Sequence, residues 1–212
     1  MRKMNRRAIS PKKMKVKIVE RIPLPAEYKQ LIGTPECRGS WFVWGDSGHG
    51  KSTFLMQLAK ILSMYYKVDY VSLEVEDRAS MQDLMAECKM AECRKGSFML
   101  LPGYDLEAVN ERISKPRSAR IIIVDSVQYW NITTAEYKKL LADHPTKLFI
   151  FNSHADGKKP VGALGRNIKY DADVKLWVEG FRAFSRSRMS RGKITDAFTI
   201  WPEGAAKYWN NI

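Results

Sequence analysis

The chain has 212 residues, of which 45% are hydrophobic and 28% charged, a composition that suits one folded domain and excludes a disordered chain. Its longest apolar runs are four residues and it has three cysteines, which excludes a membrane-spanning helix and a disulfide scaffold and predicts a cytoplasmic protein. The net charge of +13 predicts a polyanionic partner, for which nucleic acid is the usual choice.

The positive charge is concentrated at the start of the chain. Residues 1–20 contain eight basic side chains and one acidic side chain, Glu20, and so carry +7 of the net charge. We interpret residues 1–21 as a basic arm and residues 22–212 as one domain. The arm either contacts phosphate groups or is a solvated segment that keeps the protein in solution, and the charge alone fits both interpretations.

Apolar runs alternate with helical patterns through most of the domain. The predicted strands are residues 41–44, 70–74, 98–101, 120–125 and 148–151. The predicted helices are residues 51–65, 80–93, 105–115 and a segment that begins at a Thr133–Glu136 capping box and ends near Ala142. This alternation predicts an α/β fold with a mostly parallel central sheet flanked by helices. The last third instead predicts strands joined by turns, at residues 174–179, 181–187 and 196–201, which end the sheet in antiparallel fashion.

A glycine-rich loop follows the first predicted strand. Residues 45–52 read G-D-S-G-H-G-K-S and match G-x-x-x-x-G-K-[ST] in full. Such a loop presents backbone N–H groups to phosphates at a helix N-terminus. Here it consists of Gly45, Asp46, Ser47, Gly48, His49 and Gly50. Lys51 would contact the β- and γ-phosphates, Ser52 would bind Mg²⁺ and Thr53 the α-phosphate. We interpret His49 as a variable loop position, and the motif predicts binding of a nucleoside triphosphate.

Two carboxylates are candidates for hydrolytic chemistry. An apolar strand ends in Asp125, as a Walker B element requires, and this carboxylate would hold Mg²⁺ opposite Ser52. Glu74 ends another predicted strand and is the candidate base that activates the attacking water. Ligands of such sheets bind at the carboxyl ends of the strands, so both groups can face the phosphates. Glu76 is an alternative base.

The order of these motifs resembles the RecA-type ATPases, in particular the RadA/Sms and DnaB branch. The similarity rests on the P-loop, on Y-V-S-L-E at residues 70–74 and on V-D-S-V-Q at residues 124–128, and it runs from about residue 22 to 209. It implies a RecA-like P-loop NTPase fold that binds ATP and Mg²⁺, with Gln128 near the nucleotide. The chain lacks the cysteine-rich zinc module of RadA/Sms and the N-terminal helical domain of DnaB. We therefore interpret it as a bare motor core, of a kind that suits a phage or mobile element.

The resemblance also implies roles for residues late in the chain. Arg186 and Arg188 match basic residues that reach the ATP site of a neighbouring subunit in relatives, and a solvated or DNA-facing basic hairpin is the alternative. His154 is expected to sense the γ-phosphate. The segment 155–166, which holds several glycines and basic residues, matches the DNA-binding loops of RecA-like proteins, and a plain surface loop is the alternative.

Together these features predict an ATP-hydrolysing motor domain that acts on DNA, in recombination, repair or helicase-type translocation, as a hexameric ring or a filament. The DNA is expected to be single-stranded. Two other functions share part of the motif set. A P-loop kinase for a small molecule would use Lys51, Ser52 and Asp125 but would not need Glu74. A non-hydrolysing protein that binds nucleic acid under the control of ATP would keep the basic arm without turnover.

Overall fold

The computed structural model describes residues 8, 10–15, 20–186 and 197–210. Most of the predicted basic arm, at positions 1–7, 9 and 16–19, lies outside the described residues, and so does Arg188. The strands are β1 (Gly39–Gly45), β2 (Val68–Ser72), β3 (Phe98–Pro102), β4 (Ile121–Asp125), β5 (Leu148–Asp156), β6 (Lys159–Pro160), β7 (Val174–Glu179), β8 (Arg182–Ser185) and β9 (Phe198–Thr199). The helices are α1 (Pro11–Lys15), α2 (Ala26–Ile32), α3 (Lys51–Ser63), α4 (Ala79–Glu87), α5 (Leu106–Ser114), α6 (Thr134–Asp143), α7 (Gly162–Asp171) and α8 (Pro202–Trp209).

One sheet organises the domain. Its strand order is β3-β2-β4-β5-β1-β7-β8-β9, and β6 pairs with the end of β5. The first six strands in this order, from β3 at the edge through β2, β4, β5 and β1 to β7, run parallel. β8 and β9 are antiparallel to their neighbours. The predicted fold class, a mostly parallel sheet with flanking helices and antiparallel strands at the C-terminal end, is therefore confirmed.

Both faces of the sheet are buried, which explains the uninterrupted apolar runs in its strands. Alternate side chains of β1 enter two different clusters, because successive residues of a strand point to opposite faces. Trp41 and Val43 pack with α3 and α2 on the first face. Phe42 and Trp44 pack with residues of α5, α6 and α7 on the second face. The P-loop therefore projects from a strand that is fixed on both sides.

An ion pair anchors α5 to the sheet. Arg112 of α5 donates two hydrogen bonds, of 2.7 and 3.0 Å, to the carboxylate of Asp69 on β2. Asp69 is only 2% exposed. This pairing raises the pKa of Arg112 and compensates the buried negative charge.

Several predicted elements differ from the observed ones. The helix predicted over residues 80–93 ends at Glu87, because Lys89 adopts a left-handed backbone conformation (φ 53°) before a short 3₁₀ turn, Met90–Glu92. Helix α8 follows the last strand, in a segment for which no element was predicted, and begins with Pro202 at its first position. None of the helices in the described part of the chain has both the length and the apolar character needed to cross a bilayer.

The segment 155–166, predicted as a glycine-rich DNA loop, is largely folded. β5 continues to Asp156 and forms a hairpin with β6, and α7 begins at Gly162. Gly165 is buried, and a Cβ at this position would lie 3.0 Å from the hydroxyl oxygen of Ser153. This glycine therefore allows α7 to pack closely on the sheet and does not provide mobility. The prediction that the whole segment is a loop is wrong.

Candidate active site

The P-loop connects β1 to α3 at the carboxyl edge of the sheet. Gly45 passes so close to β7 that a Cβ there would lie 2.1 Å from the carbonyl oxygen of Val178. Gly50 has a left-handed conformation (φ 92°), which glycine adopts at little cost. Both positions therefore require glycine, and the loop leads into the N-terminus of α3 as the motif predicts.

Lys51 lies at the centre of the site and is 5% exposed. Its ammonium group donates a hydrogen bond of 2.8 Å to the carbonyl oxygen of Asp46. Burial lowers the pKa of Lys51, whereas the negative charges of Asp125, Glu74 and Asp46 oppose this change. The structure therefore brings the predicted lysine and both predicted carboxylates into one electrostatic cluster.

The Asp125 carboxylate is held by two neutral donors. The Tyr70 hydroxyl donates a hydrogen bond of 2.6 Å to Oδ2, and the Asn152 amide Nδ2 donates to Oδ1. Burial and the nearby Asp125 raise the pKa of Tyr70 well above its ordinary value, so the phenol keeps the proton that it donates. Asp125 is 5% exposed.

The residues around Asp125 fit a magnesium ion. A carboxylate and the Ser52 hydroxyl are oxygen ligands of the kind that Mg²⁺ prefers. The Asn152 carbonyl oxygen is buried without a hydrogen-bond partner, and a metal-bound water is a suitable donor for it. No cluster of three or more acidic, histidine or cysteine side chains that could form a metal cage occurs in the part of the chain that the structure describes.

Glu74 lies two residues beyond the end of β2, not within the strand as predicted. A backbone hydrogen bond of 2.8 Å from Leu73 N–H to the Asp125 carbonyl keeps this segment beside β4. The Glu74 carboxylate contacts His154, with 3.2 Å between Oε2 and Nε2. Glu76, the alternative base, is exposed, and its side chain lies near Gly103, after β3.

His154 connects Glu74 to the residues that follow Asp125. Its Nε2 atom lies 3.4 Å from the Ser126 hydroxyl. The Gln128 amide donates to the Ser153 hydroxyl (2.7 Å) and accepts from the His154 backbone N–H (3.2 Å). Gln128 therefore braces the end of β5, and its position supports His154.

The C-terminal part of the chain packs against the P-loop through His49. The backbone N–H of Gly180 donates to His49 Nδ1, and that of Phe181 donates to the His49 carbonyl oxygen, each over 3.3 Å. The Tyr208 ring of α8 lies edge-on to the His49 ring, 5.3 Å between centroids. His49 therefore joins the P-loop to the segment between β7 and β8 and to α8.

A cleft of about 530 Å³ opens beside Thr53. Its lining residues are Thr53, Gln57, Glu87, Cys88, Phe181, Ile200 and Trp201. Burial and the neighbouring Glu87 raise the pKa of Cys88 to about 11, so its thiol is an uncharged lining group at neutral pH. The Phe181 and Trp201 rings meet edge to face, with centroids 4.9 Å apart. No motif or regular spacing in the sequence links Thr53 to Phe181 and Trp201, so the cleft could not be predicted from it.

Arg186 lies away from the P-loop of its own chain. Its backbone N–H donates to the Lys175 carbonyl over 2.7 Å. Lys175 pairs with Phe42, three residues before Gly45 in the register of β1, which places it about 10 Å below the loop at ~3.3 Å per residue. The backbone of Arg186 therefore lies about three residues of β1 below the start of the P-loop.

Basic side chains are exposed next to His154. Lys158 and Lys159 lie on the β5–β6 hairpin and Arg166 lies on α7, and all three are exposed. The Val161 backbone N–H donates to the His154 carbonyl oxygen over 3.0 Å, which closes the hairpin directly on the histidine.

No protein-family model matches the sequence, and no curated protein is similar to it by sequence. Solved structures are similar in fold. The flagellar accessory protein FlaH from Methanocaldococcus jannaschii aligns with a TM-score of 0.58 and 19% identity, over 80% of this chain and 88% of its own. The KaiC-like protein PH0186 from the hyperthermophilic archaeon Pyrococcus horikoshii OT3 aligns with a TM-score of 0.61 and 17% identity, over 80% of this chain and 89% of its own. At these identities the similarity shows the fold alone, a mostly parallel central sheet flanked by helices.

Proposed function

We propose that residues 22–212 form an ATP-hydrolysing motor domain that acts on DNA as a ring or filament, in the RadA/Sms and DnaB branch of RecA-like proteins. One observation carries the proposal. Lys51 follows β1 in the P-loop, Asp125 ends β4, and Glu74 follows β2 in a segment whose Leu73 N–H donates to the Asp125 carbonyl oxygen over 2.8 Å. Because β1, β2 and β4 run parallel in one sheet, these three residues of distant sequence position lie at its carboxyl edge, and the charges of both carboxylates oppose the lowering of the Lys51 pKa by burial. A cation for the phosphates, a carboxylate for the metal and a base for water are the groups that ATP hydrolysis requires.

Each of these residues has a task in hydrolysis. Ser52 and Asp125 would hold Mg²⁺, which withdraws charge from the phosphates when bound. Lys51 would exchange its hydrogen bond with the Asp46 carbonyl for oxygens of the β- and γ-phosphates. Glu74 would accept a proton from the water that attacks the γ-phosphorus, while the bond from that phosphorus to the bridging oxygen of ADP breaks. The products are ADP and inorganic phosphate.

The nucleotide base would occupy the cleft lined by Phe181 and Trp201. Thr53, the residue predicted to contact the α-phosphate, lies in the wall of this cleft. A base that enters it can stack on aromatic rings, and Gln57 and Glu87 offer polar groups at its edge. This arrangement supports binding of a whole nucleoside triphosphate, beyond its phosphates.

The β5–β6 hairpin, with its exposed Lys158 and Lys159, supports a DNA partner. Lys158 and Lys159 are exposed on a protein of net charge +13, as a surface that contacts a phosphate backbone requires. His154 contacts the proposed base at one end and closes this hairpin at the other. We therefore expect DNA bound at the hairpin to change the position of Glu74 and to stimulate hydrolysis. The basic arm at residues 1–21 would add phosphate contacts.

Assembly would complete the site. Because Arg186 lies away from its own P-loop, Arg186 or Arg188 would act on the nucleotide of a neighbouring subunit. A cation supplied in this way stabilises charge in the transition state. Hydrolysis should then rise more steeply than linearly with protein concentration.

The test is ATP turnover with and without single-stranded DNA over a range of protein concentrations, in the intact chain and in Lys158→Ala/Lys159→Ala. The matched control is Lys138→Ala/Lys139→Ala, which removes two adjacent exposed lysines of α6. We expect DNA to stimulate the intact chain and the control but not the hairpin variant. A turnover rate that is the same with and without DNA would instead indicate a small-molecule kinase or an ATPase with a protein partner. Tight ATP binding without turnover would indicate an ATP-controlled binding protein.

A further inference from the structure

Tyr70 lies on the same face of the sheet as the proposed metal carboxylate. It pairs with Ile123 in the register of β2 and β4, two residues before Asp125. Side chains two residues apart on a strand point to the same face, and a diagonal neighbour at this distance is within reach of a long aromatic side chain. The ring is fully buried, and its hydroxyl group ends 2.6 Å from Asp125 Oδ2.

Asn152 contacts Asp125 from the opposite side. β4 lies between β2 and β5 in the sheet, so Tyr70 and Asn152 flank the carboxylate from its two neighbouring strands. Each carboxylate oxygen receives one hydrogen bond from the protein. Because each carboxylate oxygen has a further lone pair, it can still accept a hydrogen bond from a metal-bound water.

We infer that Tyr70 is a positioning residue for magnesium binding, which it favours by holding Asp125 in one orientation. The inference rests on the proposed function, because it assigns the metal to the site at Asp125. Outer residues that orient metal-binding groups commonly affect metal affinity by about 10- to 100-fold. Removal of the Tyr70 hydroxyl should therefore weaken the binding of Mg²⁺ while the nucleotide still binds through the P-loop and the cleft.

The test is calorimetric binding of a non-hydrolysable ATP analogue with and without Mg²⁺. The ratio of the two dissociation constants measures how strongly the metal and the nucleotide support each other. In Tyr70→Phe we expect this ratio to fall about tenfold relative to the intact chain, with little change in the dissociation constant measured without metal. Half-saturating Mg²⁺ for turnover should rise by a similar factor, while turnover at saturating Mg²⁺ recovers.

The matched control is Tyr137→Phe, which also removes a buried phenol hydroxyl. Tyr137 is fully buried on α6 and its hydroxyl lies 3.3 Å from that of Ser40, away from the P-loop. In Tyr137→Phe the ratio of the dissociation constants with and without Mg²⁺ should equal that of the intact chain. Asn152→Ala removes the second donor to Asp125 and should lower the ratio as Tyr70→Phe does.

An unchanged ratio in folded Tyr70→Phe would overturn the inference and leave Tyr70 with a role in packing alone. If Tyr70→Phe does not fold, an unchanged ratio in Asn152→Ala overturns the proposed orientation of Asp125 by flanking donors. Equal loss of affinity with and without metal would also overturn it. An intact chain that fails to bind the analogue at all would refute the proposed function itself, whereas binding with an unaltered ratio refutes only the role of Tyr70.

Discussion

Glu74 and His154 are in direct contact, with 3.2 Å between carboxylate Oε2 and imidazole Nε2. The contact joins the segment after β2 to the end of β5, and β5 leads directly into the β5–β6 hairpin. His154, which contacts the candidate base, is thus part of the strand that leads into the hairpin that we propose to contact DNA. Through this contact, DNA bound at the hairpin would affect the position of Glu74 and so the rate of hydrolysis.

Replacement of Glu74 should separate hydrolysis from binding. We expect Glu74→Gln to lower turnover by about 100-fold or more, since loss of a general base typically costs 10²–10⁴, while affinity for ATP changes little. The measurement is phosphate release at saturating ATP, alongside nucleotide titration. Glu76→Gln is the control, because its exposed side chain lies near Gly103. Retained turnover in Glu74→Gln with loss in Glu76→Gln would reverse the assignment.

Truncation of Trp201 should weaken nucleotide binding. Its side chain is 48% exposed at the cleft beside Thr53, and stacking of a base on an aromatic ring is worth roughly 1–3 kcal/mol. We expect Trp201→Ala to raise the dissociation constant of ATP about tenfold. The dissociation constant of inorganic triphosphate, which has no base, should change much less. Trp130→Ala is unsuitable as a control because Trp130 is buried. Tyr170→Ala, which truncates an exposed ring outside the cleft, serves instead. An unchanged constant in Trp201→Ala would place the base elsewhere.

Mixing experiments test whether an arginine acts between subunits. Arg188→Ala and Arg186→Ala should each be assayed alone and in equimolar mixture with Lys51→Ala. A subunit with an intact P-loop can then receive an intact arginine from its neighbour. Random assembly should restore turnover to about a quarter of the intact level for the residue that acts in this way. Arg182→Ala, on β8, is the control. The absence of recovery in every mixture would contradict an arginine supplied in trans.

The Arg112–Asp69 pair should be important for stability. Loss of one partner leaves a buried charge uncompensated, which costs about 3–5 kcal/mol. Arg112→Met should therefore lower the melting temperature by about 10 °C, at ~2–4 °C per kcal/mol for a chain of this size. Lys60→Met, which removes an ion pair with the exposed Glu92, should change it little. Equal melting temperatures for the two variants would show that the ion pair to Asp69 contributes little.

Local sequence patterns predicted much of the fold. The apolar runs that became β1, β4 and β5 were readable because strands buried on both faces show no polar alternation. The P-loop was readable because its glycines and lysine form a contiguous motif. The capping box at Thr133 and Glu136 likewise marked the start of α6, and both of its hydrogen bonds are present.

Contacts between distant parts of the chain could not be predicted from local sequence patterns. Phe181 and Trp201 line the cleft beside Thr53 because β8 and β9 close the sheet next to it, and no local sequence pattern predicts this contact. The contact between Glu74 and His154 depends on how the segment after β2 bends, which strand periodicity does not describe. Residues 162–166, the first half of α7, were predicted as part of a loop because of their glycines, whereas Gly165 allows close packing.

The most direct test of the account is phosphate release from ATP by the intact chain and by Lys51→Ala, with Mg²⁺ present. Lys60→Ala is the matched control, because Lys60 lies on the same helix and pairs with Glu92. We predict turnover in the intact chain and in Lys60→Ala, and loss of turnover in Lys51→Ala. Turnover that survives in folded Lys51→Ala would contradict the assignment of the phosphates to this loop.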